Sequence, residues 1–345
     1  MVKTFLEHTD PIISSTLVEA ADQDEGEDLL GAGVELRQLR VDLHLHGQRL
    51  DKVLVQVAPE FSRNYLQQLI DAGGVCVNGV QLRKQATKLK AGDALYLELR
   101  PTAQSQAFAP QAMDLQVVYQ DAQVYVLDKA AGLVVHPAPG NWSGTLLNGL
   151  LAMDPGLAAV PRAGIVHRLD KDTSGLMVVA RTRQAMDALV QAIAARSMHR
   201  QYLALAKGTW RGTAQQSVKA AIGRDPRNRL RMAVVDLATT PGKTAQTDIY
   251  LLGQAPQGCL VHCVLHTGRT HQIRVHMASL GHPLLGDCVY GGPAVPGLAR
   301  QALHAFRLAF EHPITGVPLA FESPLPPDLA ALMSHWGLRY NAATS

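Results

Sequence analysis

Short apolar runs separated by polar clusters fill the chain from residue 113 onward, and their length is typical of strands. The predicted strands are Leu115–Val118, Val124–Leu127, Leu133–Val135, Ile165–Val166, Leu176–Val179, Tyr202–Ala206, Thr247–Leu251, Leu260–Leu265 and Ile273–Met277. Longer segments with helical spacing are Gly144–Ala152, Arg183–Arg196 and Asp328–Trp336. Strand runs interspersed with separate helices favour an α+β domain over residues 113–335, built around a mainly antiparallel sheet.

An earlier part of the chain, residues 37–100, has a different pattern that predicts a small separate domain. Its predicted elements are the helix Arg49–Val57, a helix from Arg63 to about Ala72, and the strands Val75–Val77 and Ala94–Leu99. Ser62 is a suitable N-cap for the second helix, and Gly73 and Gly74 end it. The pair Asn78-Gly79 after the first strand predicts a tight hairpin turn.

Charge is distributed unevenly along the chain. The formal net charge is +3, but residues 1–34 hold one base against eight acids, so this segment carries −7 and the rest carries +10. We expect a disordered acidic tail over residues 1–36, and a solvated tail without a function of its own is the simpler interpretation. The positive remainder suits a polyanionic partner. Residues 101–112 lack periodicity and are predicted as a linker, and residues 336–345 as a C-terminal tail.

Composition narrows the class of protein. A chain of 345 residues with 47% hydrophobic content is long enough for two domains and a substantial core. Because no apolar run reaches the roughly 18 residues of a membrane helix, we expect a soluble cytoplasmic protein without a membrane partner. The sequence has neither a P-loop nor a GxGxxG motif after a strand, so we expect no nucleotide or redox cofactor.

The four cysteines, Cys76, Cys259, Cys263 and Cys288, form no CxxC pair, and we interpret them as buried free thiols. A zinc site that combines Cys263 with His262, His266 or His271 is the alternative. Its weakness is that no paired ligand spacing is present.

The segment from Ala163 to Arg181 places polar groups between two apolar runs. His167–Gly175 is predicted to be an exposed connection between strands. Asp170 lies there between Arg168 and Lys171, where a carboxylate can stay ionised and act as a nucleophile or base.

Two simpler interpretations of this loop are open. Asp170–Gly175 resembles the first half of a calcium-binding loop, although Arg181 occupies the twelfth position, where a glutamate is needed. Alternatively the segment is a solvated turn, since Asp, Thr, Ser and Gly are ordinary turn residues.

Several ordered motifs resemble one known family. They are GLVVHP at 132–137, HRLDKDTSGL at 167–176, RQYLALAKG at 200–208, HTGRTHQIRVHM at 266–277, GDCVYGG at 286–292 and RQALHAFRLAFEHPITG at 300–316. Together they are similar to the RluA-type pseudouridine synthase family, and residues 160–180 are most similar to one subgroup of it. The resemblance implies the pseudouridine synthase fold with its central mixed sheet.

The same resemblance implies roles for individual residues. Asp170 would be the catalytic nucleophile, Tyr202 the tyrosine that packs on the target base, and Arg274 the partner of the catalytic carboxylate. Alternation within the predicted strand Ile273–Met277 would project Arg274 into a cleft. Arg168 would enter the RNA stack where the uridine leaves, and His167 would contact RNA beside it.

Residues 37–100 resemble the S4 RNA-binding domain. The resemblance implies phosphate contacts from its bases, although an ordinary solvated basic face is the alternative. The bases proposed to bind RNA are Arg49, Lys52, Arg63, Arg83, Lys84 and Lys88.

The implied activity is isomerisation of uridine to pseudouridine after the base has been flipped out of its helix. The implied partner is 23S rRNA or a precursor of the large ribosomal subunit, with the helix 69 stem-loop as target, and we expect a monomer. Whether the aspartate attacks C1′, adds to C6 or assists a glycal route stays open. The alternatives are the same chemistry on tRNA or another rRNA site, and a noncatalytic RNA-binding factor in ribosome assembly.

Overall fold

A computed structural model describes residues 35–59, 61–99, 105–138 and 140–340. The chain forms two compact units that divide after Pro101. Most of the predicted acidic tail, residues 100–104 around the start of the predicted linker, and the last five residues of the predicted C-terminal tail lie outside the described residues.

The first unit contains two helices and a four-stranded sheet with the strand order β1-β4-β2-β3. Its elements are β1 Glu35–Arg40, α1 Leu50–Val57, α2 Arg63–Asp71, β2 Val75–Val77, β3 Val80–Gln81 and β4 Ala94–Leu99. Ser62 accepts a hydrogen bond from the backbone N–H of Tyr65, as an N-cap does. Asn78 and Gly79 have φ values of 50° and 79°, which a tight hairpin turn requires. These features confirm the predicted helices and hairpin.

Asp51 joins the two helices of this unit. Its buried carboxylate accepts hydrogen bonds from Arg49 Nε at 2.9 Å and Arg63 Nη2 at 3.1 Å. Hydrogen bonding from Arg49 lowers the pKa of Asp51 to about 2, against the opposing effect of burial. Arg49 and Arg63 therefore balance a buried charge of their own unit.

The second unit is built on a nine-stranded sheet with the order β5-β6-β7-β15-β8-β14-β13-β9, and β16 pairs with β15. The strands of this sheet are β5 Gln116–Gln120, β6 Val124–Lys129, β7 Ser174–Ala180, β8 His199–Lys207, β9 Gln215–Lys219, β13 Gln246–Ala255, β14 Gly258–Leu265, β15 Leu303–Glu311 and β16 Pro318–Glu322. A smaller sheet contains β10 Ile222–Arg224, β11 Met232–Val234 and β12 Gly242–Lys243. The helices are α3 Leu146–Met153, α4 Arg183–Ala194, α5 Gln272–Ser279 and α6 Pro327–His335.

The large sheet is mixed but mainly antiparallel. Among its pairs only β15 and β7 run parallel, through His304 opposite Ser174 and Ala305 opposite Gly175. All seven residues of β7 are buried, so this strand lies in the interior and places the loop before it at a fixed position. The α+β prediction with a mixed, mainly antiparallel sheet is confirmed.

The prediction of a strand over Ile273–Met277 is wrong, because these residues belong to α5. The alternation of apolar and polar residues indicated two faces, yet Gln272, Arg274 and His276 are buried as fully as their apolar neighbours. Each polar side chain has internal partners, so a polar residue here does not mark a solvent face. The β-branched Ile273 and Val275 favoured a strand, but tertiary packing decided the outcome.

Two other predicted strands also fail. Leu133–Val135 forms irregular backbone, and Ile165 makes only an isolated bridge with Val179. Strands β1, β9, β15 and β16 and the small sheet were not predicted at all.

Cys259 and Cys263 are buried free thiols, and burial raises the pKa of Cys259 to about 11. The prediction of burial is wrong for Cys288, which is exposed, and for Cys76, which is only partly buried. Among the described residues no helix is long and apolar enough to cross a membrane, and no three potential metal ligands of the His, Cys, Asp or Glu types cluster together.

Candidate active site

A cavity of about 490 Å³ opens in the second unit, and the loop before β7, the strand β8 and the start of α5 line it. Asp170, Tyr202 and Arg274 all contribute to this lining. The structure thus brings together three residues that lie far apart in the sequence. The S4-like bases belong to the other unit.

Arg274 connects two carboxylates. Its Nη1 donates to Asp170 Oδ2 at 3.1 Å, while Nε and Nη2 donate to the two oxygens of Asp287 at 2.7 and 2.9 Å. The Arg274 side chain is 7% exposed and Asp287 is fully buried. Burial opposes the charge of Arg274, but the hydrogen bonds and charge of Asp287, with a contribution from Asp170, raise its pKa above the ordinary value. The bidentate pair therefore fixes a permanent cation against Asp170.

His271 and Tyr290 complete the surroundings of the carboxylate. His271 Nε2 lies 3.9 Å from Asp170 Oδ1, and its Nδ1 lies 2.8 Å from the hydroxyl of Tyr290. That hydroxyl accepts a hydrogen bond from the backbone N–H of Met232 at 3.0 Å, and the Tyr290 ring lies 5.0 Å from Arg274 Cζ. Burial lowers the pKa of His271, although the charge of Asp170 opposes this effect. A neutral imidazole thus stands beside the carboxylate.

The remaining predicted residues of this site lie in the same cavity. Tyr202 on β8 is buried, and burial raises its pKa to about 12, so its phenol stays protonated. Arg168 is an exposed part of the lining. Burial, aided by the charge of Arg200, lowers the pKa of His167 to about 3, so its ring is neutral near pH 7.

Side chains from distant segments hold the loop after Asp170. Lys129 Nζ donates to the carbonyl of Lys171 at 2.9 Å, and Arg300 Nη1 donates to the carbonyl of Asp172 at 3.1 Å. The next two residues are held by Gln301, which donates to Thr173 Oγ1 at 3.1 Å, and by His304, whose Nδ1 lies 3.0 Å from Ser174 Oγ. Burial lowers the pKa of Lys129 to about 8, against the opposing charges of Asp172 and Asp170.

These contacts disfavour the interpretation of Asp170–Gly175 as a calcium loop, because the carbonyl and hydroxyl oxygens between its ends are bonded to protein groups.

We therefore expect exhaustive chelation to leave turnover unchanged on an RNA whose own folding needs no divalent ion. The measurement is initial rate before and after chelator treatment. Activity that falls on chelation and returns with calcium would contradict this prediction.

Comparison with known proteins identifies the class of this protein. Residues 123–279 match the family described as RNA pseudouridylate synthase, and residues 48–95 match the S4 domain. A protein of Neisseria meningitidis serogroup A is 48% identical over 307 residues, covering 86% of this chain and 80% of the relative. The chain belongs to the RNA pseudouridylate synthase family and is accordingly an isomerase, a pseudouridine synthase.

The similar proteins point to one member of the family. The Neisseria protein bears the name ribosomal large subunit pseudouridine synthase D. So do a protein of Xanthomonas campestris, 48% identical over 87% of this chain and 92% of its own length, and one of Pseudomonas aeruginosa, 46% identical over 86% and 95%.

Solved structures agree on the fold. Human RNA pseudouridylate synthase domain containing 1 has a TM-score of 0.50 and 28% identity, covering 63% of this chain and 87% of its own. Human RNA pseudouridylate synthase domain containing 4 has a TM-score of 0.53 and 22% identity, covering 65% and 94%.

Sequence reasoning missed several residues of the site. Asp287 and Tyr290 lie in GDCVYGG, and His271 lies in HTGRTHQIRVHM, so the motifs were found but these residues were given no catalytic role. Lys129 and Arg300 were missed for a different reason, since each acts on the backbone of a loop distant in sequence.

Proposed function

We propose that this enzyme converts uridines of 23S rRNA in the large ribosomal subunit to pseudouridine, with the helix 69 stem-loop as its target and Asp170 as its nucleophile. The observation that carries the proposal is the ion pair of Asp170 with Arg274 at 3.1 Å inside the cavity. The names of the relatives support the large-subunit substrate.

In this mechanism the target uridine leaves its helix and enters the cavity, which costs a few kcal/mol. Asp170 takes part as nucleophile while the N1–C1′ bond breaks, and Tyr202 packs on the uracil that is freed. The uracil turns, C5 bonds to C1′ as any bond to Asp170 breaks, the C5 proton passes to a base and N1 gains a proton, so the product is an isomer of the substrate. Arg274 holds the carboxylate in place and balances its charge without reorganisation. Arg168 fills the gap that the flipped base leaves in the RNA stack.

The S4-like unit would place the RNA. Lys52, Arg83, Lys84 and Lys88 are exposed, whereas Arg49 and Arg63 already pair with Asp51. The four exposed bases form no ion pair within the described residues and are therefore the better candidates for phosphate contacts, and Arg49 and Arg63 serve mainly to hold the unit together.

Replacing Lys52, Arg83, Lys84 and Lys88 with alanine should weaken binding of the rRNA stem-loop and flatten its salt dependence. Each lost phosphate contact removes about 0.7 to 0.9 from the slope of log affinity against log salt, so the slope should fall by about 2 to 4 units. Titration at several salt concentrations measures it. A control variant that exchanges Lys and Arg at the same positions should keep the slope. An unchanged slope in the alanine variant would show that this face does not touch RNA.

Chemical mapping of pseudouridines in rRNA and tRNA, from cells with and without the protein, tests the substrate. We expect signals in the helix 69 stem-loop of 23S rRNA to disappear with the protein. Loss confined to tRNA would overturn the rRNA target while keeping the chemistry, and no loss anywhere would overturn both. The same proposal includes the domain arrangement, in which an S4-like part over residues 37–100 precedes a catalytic part over residues 113–335. It also includes a cytoplasmic location and a monomeric state.

A further inference from the structure

The lining of the cavity includes two hydrogen-bond donors without acceptors. Among the described residues, Arg200 Nε and His167 Nδ1 are buried atoms with no hydrogen-bond partner, and both side chains line the cavity around Asp170. Buried polar groups nearly always have partners, so two orphans in one substrate cavity indicate that the substrate supplies the missing acceptor.

Of the two residues, Arg200 gives the stronger indication of a missing partner. It lies on β8 two residues before Tyr202 and is 6% exposed, yet within the described parts of the chain its side chain has no ion pair and no hydrogen bond. An unpaired buried charge is costly, and proteins usually provide a carboxylate for it. Of the described residues that line the cavity, one is an acid, Asp170, and Arg274 already holds it.

Gly268 makes room for this arginine. A Cβ atom at Gly268 would lie 2.8 Å from Arg200 Nη1, closer than real Cβ contacts allow. The backbone of Gly268 does not have a positive φ, so the need for glycine arises from the space that the guanidinium occupies rather than from strain.

The tautomer of His167 follows from its other contact. Its Nε2 lies 3.1 Å from the backbone nitrogen of Val178 and accepts that N–H, so the neutral ring carries its proton on Nδ1. This proton points to no acceptor in the described residues. Arg200 lines the same cavity as His167.

We propose that Arg200 and His167 bind a non-bridging oxygen of one phosphodiester that flanks the flipped uridine. The inference rests on the proposed function, since it takes the substrate to be RNA. A phosphate supplies both the acceptor that the two donors lack and the negative charge that Arg200 lacks, whereas a uracil carbonyl supplies only an acceptor. Binding the flanking phosphate would lock the flipped nucleotide at a fixed distance from Asp170.

The test combines protein variants with RNA stem-loops that carry a single neutral methylphosphonate on either side of the target uridine. Arg200→Met should raise KM about 10- to 100-fold with a smaller change in kcat, the size expected for a charged hydrogen bond. One of the two methylphosphonates should raise the KM of the wild-type enzyme by a similar factor. The same methylphosphonate should raise the KM of Arg200→Met only slightly further. The matched control is Arg183→Met, an exposed arginine of α4 paired with Asp187, which should behave like wild type.

Two further measurements separate binding from folding. Because Arg200→Met removes an unpaired buried charge, its melting temperature should equal or exceed that of the wild type, whereas a structural arginine would lower it. Gly268→Ala keeps all charges but displaces the guanidinium, so it should reproduce the rise in KM.

If the methylphosphonates raised the KM of the wild type and of Arg200→Met by the same factor, the proposal would be overturned. It would also be overturned if the effect of Arg200→Met depended on a change in the uracil and not on a change in the phosphate.

Failure of the proposed function looks different, because the wild type would then isomerise no large-subunit RNA. Calorimetry with uridine 5′-monophosphate and uridine 3′-monophosphate, each against uridine, would still test the site in that case. Preference for either monophosphate that Arg200→Met abolishes supports the anion site, and equal binding of both monophosphates and uridine overturns it.

Discussion

Asp170→Asn is expected to abolish pseudouridine formation while the fold and the affinity for RNA stay close to those of the wild type. Asparagine keeps the shape of the side chain and can still accept a hydrogen bond from Arg274, but it removes the carboxylate that we propose as the nucleophile. The loss should reach about four orders of magnitude or more, as when the nucleophile of other covalent enzymes is removed. Among the described residues, no other acid lines the cavity to take its place.

The matched control is Asp172→Asn, two residues further along the same loop. Arg300 contacts Asp172 through its backbone carbonyl, which the substitution keeps. This variant should therefore retain activity within about tenfold of the wild type. Single-turnover assays with both variants, together with RNA titrations, decide the matter. Measurable product from pure Asp170→Asn protein would remove Asp170 from the role of nucleophile.

Arg274→Met is expected to lose nearly all activity and a large part of the stability of the second unit. The substitution takes the cation away from Asp170 and also leaves the buried Asp287 without the cation that balances its charge. Breaking a buried ion pair on one side costs about 3 to 5 kcal/mol of unfolding free energy. We therefore expect a clear fall in melting temperature together with the loss of turnover.

A double variant separates these two effects. Arg274→Met with Asp287→Asn removes the buried charge that the single variant leaves unpaired, so most of the stability should return. Activity should stay lost, because Asp170 still lacks its cation. Calorimetric melting and single-turnover rates test both statements. If the double variant regained activity along with stability, Arg274 would be a structural residue only.

Local chemistry explains which features could be predicted from the sequence. The cap at Ser62 and the turn at Asn78-Gly79 depend on one or two residues whose preferred conformations match the structure. Asp170 could be predicted because it belongs to a dense polar motif that lies between two apolar runs. In each case the signal lies within a few neighbouring residues.

Features that depend on tertiary partners could not be predicted in the same way. The helix α5 carries β-branched and polar residues that indicate a strand when considered alone, and its buried polar groups are satisfied by distant segments. Asp287 has no local signal of function, since its importance follows from meeting Arg274 in space. Strand β15 was missed although it is paired on both sides, because its sequence resembles a buried helix equally well.

The anchoring of the loop after Asp170 also bears on when the enzyme becomes competent during its own synthesis. Arg300, which holds the carbonyl of Asp172, is itself paired with Asp328 at the start of α6 through two hydrogen bonds of 2.7 and 2.9 Å. Both residues leave the ribosome long after Asp170. A nascent chain that already contains Asp170 and Lys129 therefore still lacks Arg300 and Asp328. The contacts that hold this loop are therefore complete only once α6 has been translated.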